Sequence, residues 1–150
     1  MYLSMIPAIV AASAAYSTTL FDFAAWAMFI GWVAFFIRPP SLRNGIVSLT
    51  CVWIGIAFGM MAALVLEILA PIFGNVTLAV VVFMVAMTVV SLRAVPLLNV
   101  VPAYFLGMIT FFAAHLPPTL ANYGELAVTT GIGTIAACVA MGLQSRILRQ

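Results

Sequence analysis

The chain has 150 residues, 67% of them hydrophobic, with five arginines, no lysine, three carboxylates and a formal net charge of +2. Charged residues make up 5% of the chain, against about 25% in a typical soluble domain. That is too few to cover a soluble globule, and the balance also excludes a disordered chain and a nucleic-acid binder. An all-α integral membrane protein remains, with residues 1–150 as a single transmembrane domain. A helix needs about 20 residues to cross the hydrocarbon core, and six segments are expected to do so. The first runs from Leu3 to Leu20. It lacks a positive n-region, so it reads as a span and not as a cleaved signal peptide. It is the weakest, rich in Ala, Ser and Thr, and suits an interior position where helices approach closely. The second runs from Asp22 to Ile37 and is stopped by Pro39 and Pro40, which lack the N–H a helix needs. Ser41 is placed to cap the next helix or the turn leading into it. The third runs from Asn44 to Leu69 and ends at Pro71. The fourth, Asn75 to Leu92, is rich in valine. An open strand edge is not tolerated in lipid, so this run reads as helix. The fifth runs from Val100 to Leu116, framed by Pro96 and Pro102 at its start and by Pro117 and Pro118 at its end. The sixth runs from Tyr123 to Leu143, with Asn122 as its cap and Arg146 and Arg149 beyond it.

In a six-span topology Arg38, Arg43, Arg93, Arg146 and Arg149 all fall on the side that holds Met1. The positive-inside rule makes that side cytoplasmic. Asp22, Glu67 and Glu125 fall near the opposite face. The expected localisation is therefore the bacterial inner membrane, multi-pass, with both termini in the cytoplasm.

A weak internal repeat runs through the chain. Gly31, Phe35, Phe36 and Gly55 recur, 76 residues later, as Gly107, Phe111, Phe112 and Gly131. Ala27 and Phe29 match Ala103 and Phe105 on the same shift. Each half carries a double proline after its Phe pair, with two extra residues before the second. Residues 1–75 and 76–150 would then be half repeats of three spans each. An odd number of spans inverts the second half relative to the first, the plan of many channels and transporters. Short, proline-interrupted spans in corresponding positions, here the second and fifth, point to a substrate path.

Pore or substrate-path candidates are Gly31, Trp32, Phe35, Phe36, Gly107, Phe111, Phe112 and His115. The Phe pairs suit a hydrophobic constriction, or else simple core packing. Trp32 is near mid-span, against another helix or along a pore. His115, the only histidine, sits near the outer end of the fifth span as a gate, ligand or pH sensor, or as an interfacial anchor. Gly55, Gly59, Gly131 and Gly133 are helix-packing candidates, and Gly55 and Gly59 form a G-x-x-x-G step. Glu125 and Asp22 suit helix N-termini, and Glu67 an outer-surface carboxylate. Cys51 and Cys138 read as buried small residues. No H-E-x-x-H, G-x-S-x-G or Walker A sequence is present. Nor is there a Cys/His cluster for a cofactor or metal, and no enzyme activity is expected.

Trp26 to Phe36, with Gly45 and Gly55, and Val101 to Gly107, with Phe111-Phe112, resemble the small bacterial inner-membrane proteins of domain-of-unknown-function family 1097. The resemblance covers nearly the whole chain. It implies a small inner-membrane protein and carries over no catalytic residues. The function expected from the residues is a channel or facilitator for a small neutral solute. The alternative is a non-transporting structural or accessory membrane protein. The expected partners are membrane lipid, the solute and a second copy of the chain in a homo-oligomer, and no nucleic acid.

Overall fold

The computed structural model describes residues 2–148. Met1 and Arg149, used above in assigning the cytoplasmic side, lie outside the described residues. The fold is all-α, with α1 (Tyr2–Leu20), α2 (Ala25–Phe35), α3 (Leu42–Phe73), α4 (Thr77–Ser91), α5 (Val101–Ala114) and α6 (Leu120–Ile147). A 3-10 turn at Gly74–Val76 leads from α3 directly into α4 with no non-helical residue between them, and a second at Leu92–Ala94 extends α4. The six α-helices thus form five helical runs.

The expectation of six transmembrane helices is not met. Two runs are long and apolar enough to cross a membrane: Leu42–Ala94, of 53 residues, and Leu120–Ile147, of 28. Ser4–Leu20, Ala25–Phe35 and Val101–Ala114 are shorter apolar helices. The sequence count went wrong because apolar residues continue through the turns. α2 keeps only 11 residues, about 16 Å of helix at 1.5 Å per residue, against a hydrocarbon core of about 30 Å. Its expected first turn is taken by the bend at Asp22, whose φ is 54°. The last is taken by the chain reversal after Phe36. α5 keeps 14 residues. Apolar composition reports what solvent a segment prefers, not how many of its residues hold helical dihedrals.

Other boundaries also move. α3 runs through Pro71 to Phe73, although a proline there forfeits the hydrogen bond to the Glu67 carbonyl one turn earlier. Gly74 ends α3 with φ 54° and ψ −126°, a conformation that disfavours a Cβ. Thr77 Oγ1 donates to the Gly74 carbonyl at 2.8 Å. Beyond this bend α4 lies back along α3: Met61 and Val65 share a cavity wall with Val81, Met84 and Thr88.

The two double-proline turns are built alike. Ser41 caps α3 by accepting from the Asn44 N–H at 3.1 Å, and Thr119 caps α6 by accepting from the Asn122 N–H at 3.3 Å. Asn44 Nδ2 donates to the Pro39 carbonyl at 2.8 Å, and Asn122 Nδ2 donates to the Pro117 carbonyl at 2.8 Å. Thr119, and not the expected Asn122, is therefore the cap of α6. Asn122 instead ties the turn together from inside the helix.

The most extensive helix pairings are α3 with α5 and α2 with α6, followed by α1 with α6 and α4 with α3. Arg38, in the α2–α3 turn, donates to Asn99 Oδ1, in the α4–α5 connection. The two connections therefore share one end of the molecule. From that end α3 and α5 both start, and towards it α2, α4 and α6 all run. Fully buried Met28, Phe35, Val52, Ile56, Tyr104 and Leu126 fill the interior. The outside is apolar: Ile68, Leu78, Phe83, Ile109 and Ile135 are all exposed.

Candidate functional site

Two helix crossings form the centre of the molecule, and glycine makes both possible. In the first, α2 meets α6. A Cβ on Gly31 would lie 1.7 Å from the Thr130 carbonyl oxygen, and one on Gly133 would lie 1.7 Å from the Met28 carbonyl oxygen. In the second, α3 meets α5. A Cβ on Gly55 would lie 2.2 Å from the Tyr104 carbonyl oxygen, and one on Gly107 would lie 2.1 Å from that of Val52. No side-chain atom fits at any of the four positions, since each is pressed on the partner's backbone. Thr134 adds a bond across the first crossing, its hydroxyl donating to the Gly31 carbonyl at 2.9 Å. Interhelical hydroxyl bonds and close small-residue contacts are the main adhesive between helices in lipid.

The crossings match each other position by position. Gly31 on Thr130 answers to Gly107 on Val52, and Gly133 on Met28 answers to Gly55 on Tyr104. The residue equivalent to Gly55 is thus Gly133, two positions beyond the Gly131 that the sequence shift of 76 selects. The two extra residues before Pro117 account for the slip. Pro39-Pro40-Ser41-Leu42-Arg43-Asn44 against Pro117-Pro118-Thr119-Leu120-Ala121-Asn122 is the sequence signal that resets the register. Reading only the paired prolines missed it.

Gly131 has another task. On the reset register its counterpart is Trp53, and the two touch: a Cβ on Gly131 would lie 3.8 Å from Trp53 Cζ2. The indole Nε1 donates to the Ala127 carbonyl at 3.0 Å, beside Thr130 Oγ1 at 3.3 Å. A large residue in one half fills the space left by a small one in the other.

The aromatic candidates divide into two groups. Trp32, Phe35 and Phe36 form ring contacts on α2, with Phe35 and Phe36 edge to face at a centroid distance of 5.2 Å. Phe111 and Phe112 do the same on α5 at 5.4 Å. Phe35 is buried over Gly45, and Phe111 is buried over Gly59. Phe36 and Phe112 are 48% and 44% exposed and face outward. His115 is exposed, ends α5 in the left-handed region with φ 52°, and uses its backbone N–H on the Phe112 carbonyl. Glu67 and Asp22 are exposed and Glu125 is half-buried. Tyr104 is buried on α5, its hydroxyl donating to the Leu98 carbonyl at 2.9 Å. This bond ties the α4–α5 connection to the core.

Among the described residues no three His, Cys, Asp or Glu side chains gather where a metal could sit. A cavity of about 480 Å³ lies between α3, α4 and α5 and is lined by apolar residues throughout. Smaller ones lie between α3 and α4, beside Phe35 between α3 and α6, and between α3 and the start of α6. Buried threonines are plentiful, but Thr18, Thr110, Thr129 and Thr130 each donate to a carbonyl of their own helix. Ser48 Oγ is the buried side-chain oxygen without a partner among the described residues.

An apolar exterior, a glycine-packed helical interior and two runs of membrane-crossing length define the class: an all-α membrane protein. Within that class, the chain belongs to the family described as protein of unknown function (DUF1097), whose model matches residues 4–147. No curated protein and no solved structure matches it.

Proposed function

We propose that this chain is a non-transporting accessory protein of the bacterial inner membrane, without enzyme activity, which offers apolar helix faces to other membrane components. The observation that carries this reading is the filled interior. Glycines hold the α2–α6 and α3–α5 crossings at backbone contact, and the cavities between helices are lined mainly by apolar residues. Among the described residues the buried threonine hydroxyls already donate to backbone carbonyls, so they offer a neutral polar solute little to replace its hydration. The test is a liposome swelling assay with urea, glycerol and related solutes, using protein shown to be folded. Flux equal to that of empty liposomes is expected, and flux well above it would overturn the reading.

The facilitator expected from the sequence is the second reading, favoured by one observation. The short helices α2 and α5 run in opposite senses and occupy equivalent places in two matching crossings, as in inverted-repeat carriers. On this reading residues 1–75 and 76–150 are inverted halves, and a path forms where Phe36 and Phe112 reach the surface, completed by a second copy. Phe36→Ala and Phe112→Ala would then raise solute flux.

A further inference from the structure

We propose that the molecule rocks as two rigid bodies, α3, α4 and α5 against α1, α2 and α6, about the contact between Trp53 and Gly131. The seam between them opens at one end as it closes at the other. This goes beyond the accessory reading and calls for no solute, since it gives the protein two shapes. The bodies follow from the packing. Glycines press α3 on α5 and α2 on α6 at backbone contact, so neither crossing has side chains that could repack. α4 packs chiefly on α3, and α1 chiefly on α6. Between the bodies, α3 meets α6, and α2 meets α3 and α5, far less extensively than either glycine pair meets. The chain passes from one body to the other at two places, the turns holding Pro39-Pro40 and Pro117-Pro118, at opposite ends of the molecule. Close-packed bodies resist deformation, so motion concentrates at a sparse seam and at short connecting turns.

The seam is pinned in the middle and has a cleft on each side of the pin. Trp53 of α3 donates its indole N–H to the Ala127 carbonyl of α6 and rests on Gly131. On one side, a cleft of about 180 Å³ lies between Ile46 of α3 and Val139 of α6. On the other, a cleft of about 420 Å³ lies between Leu64 of α3 and Leu120 of α6. The smaller cleft is at the arginine end, and two contacts close the seam there. Arg38, just after α2, donates to Asn99 Oδ1, just before α5, and the Phe35 ring of α2 crosses to Gly45 of α3. At the other end Leu116 precedes Pro117 as Arg38 precedes Pro39, and the shift of 76 residues pairs Asn99 with Phe23. Leu116 and Phe23 have no polar side-chain group with which to form such a latch. Phe111, the counterpart of Phe35, lies over Gly59 of its own body. The seam is thus narrow where it is latched and wide at the opposite end, as two levers crossing at a pivot require.

Electron-resonance distance measurements on the full chain in lipid nanodiscs test the proposal, with pairs of spin labels on a cysteine-free background. Labels at Ile46 and Val139 span the smaller cleft, and labels at Leu64 and Leu120 span the larger; all four positions are exposed. Ile68 and Ile109, exposed on α3 and α5, report within one body. Asn99→Ala removes the latch. It should lengthen the first distance and shorten the second, each by about 2 Å or more, the scale of a domain rearrangement. The third distance should stay unchanged, which also shows that the variant is folded. Arg38→Ala breaks the same bond from its other side and should give the same shifts, and the double variant no more than either. Both clefts widening together would mean that the bodies part instead of rocking, and would overturn the proposal. So would distances that none of the variants moves, a third distance that changes as much as the first, or shifts present with Asn99→Ala and absent with Arg38→Ala. Solute flux plays no part in these readings, so they stand or fall apart from the swelling assay.

Discussion

Ten glycines occur in this chain, and their surroundings set them apart more sharply than their spacing does. Gly31 and Gly133 face backbone oxygens at 1.7 Å from a built Cβ, so a methyl group there has no flexible neighbour to displace. Gly31→Ala and Gly133→Ala should force α2 and α6 apart, a strain of about 3 kcal/mol or more, seen as loss of folded protein or a large fall in Tm in mild detergent. Gly131→Ala meets only a ring carbon at 3.8 Å and should be nearly neutral. Gly142→Ala meets nothing within 4 Å and should stabilise α6 by up to about 1 kcal/mol through helix propensity. The contrast between positions 131 and 133 tests which glycine matches Gly55. If Gly131→Ala is the damaging change, the register argued from the crossings is wrong.

At the scale of the element, the turns explain why the helices are shorter than their apolar stretches. Pro39-Pro40 and Pro117-Pro118 stop continuation, and Ser41 and Thr119 then restart helix by binding an otherwise unpaired N–H. Ser41→Ala and Thr119→Ala should each cost about 1 kcal/mol. Because the two turns share the same bonds, the two losses should agree closely in thermal or denaturant unfolding. A large difference would show that one cap carries tertiary load that the other does not. The ends of α2 and α5 were blurred in the sequence because Phe36, Ile37 and Leu116 are as apolar as the helices before them. Asp22 and His115 take positive φ in two chain reversals; their residue types are enriched there but far from confined to it.

For the molecule as a whole, two experiments address its organisation. Trp53 and Gly131 touch, and a half-repeat relation would put them in equivalent places. Trp53→Gly alone opens a cavity and should cost about 3–5 kcal/mol, and Gly131→Trp alone overfills the same space. If the halves are equivalent about an axis passing here, the double exchange should recover much of the stability that each single change removes. Failure of the double variant to improve on either single one would count against the half-repeat relation. The second experiment is cysteine labelling in intact cells at Arg43, Arg93 and Thr119, with cysteine-free protein as background. Arg43 and Arg93 should be protected from an impermeant reagent and Thr119 accessible, since the connections joined by Arg38 and Asn99 share one end and arginine-rich ends stay cytoplasmic. Labelling of Arg43 and Arg93 from opposite sides would refute this arrangement.

Composition alone determined the class. With 5% charged residues, no aqueous surface can be built, and helix is the structure in which such a chain satisfies its own backbone. Family membership, the Ser41 cap and the closing role of Pro39-Pro40 and Pro117-Pro118 were likewise legible, because each depends on local chemistry, whereas Pro71 did not end its helix. The number of membrane-length helices, the fold-back at Gly74, the pairing of α2 with α6 and α3 with α5, and the different duties of Gly131 and Gly133 were decided by tertiary structure. An apolar side chain carries no sign of which neighbour it will meet, and a glycine becomes indispensable only when another backbone arrives beside it. In a chain so uniformly apolar, hydrophobicity places residues in the bilayer, and short-range fit between helices assigns them their partners.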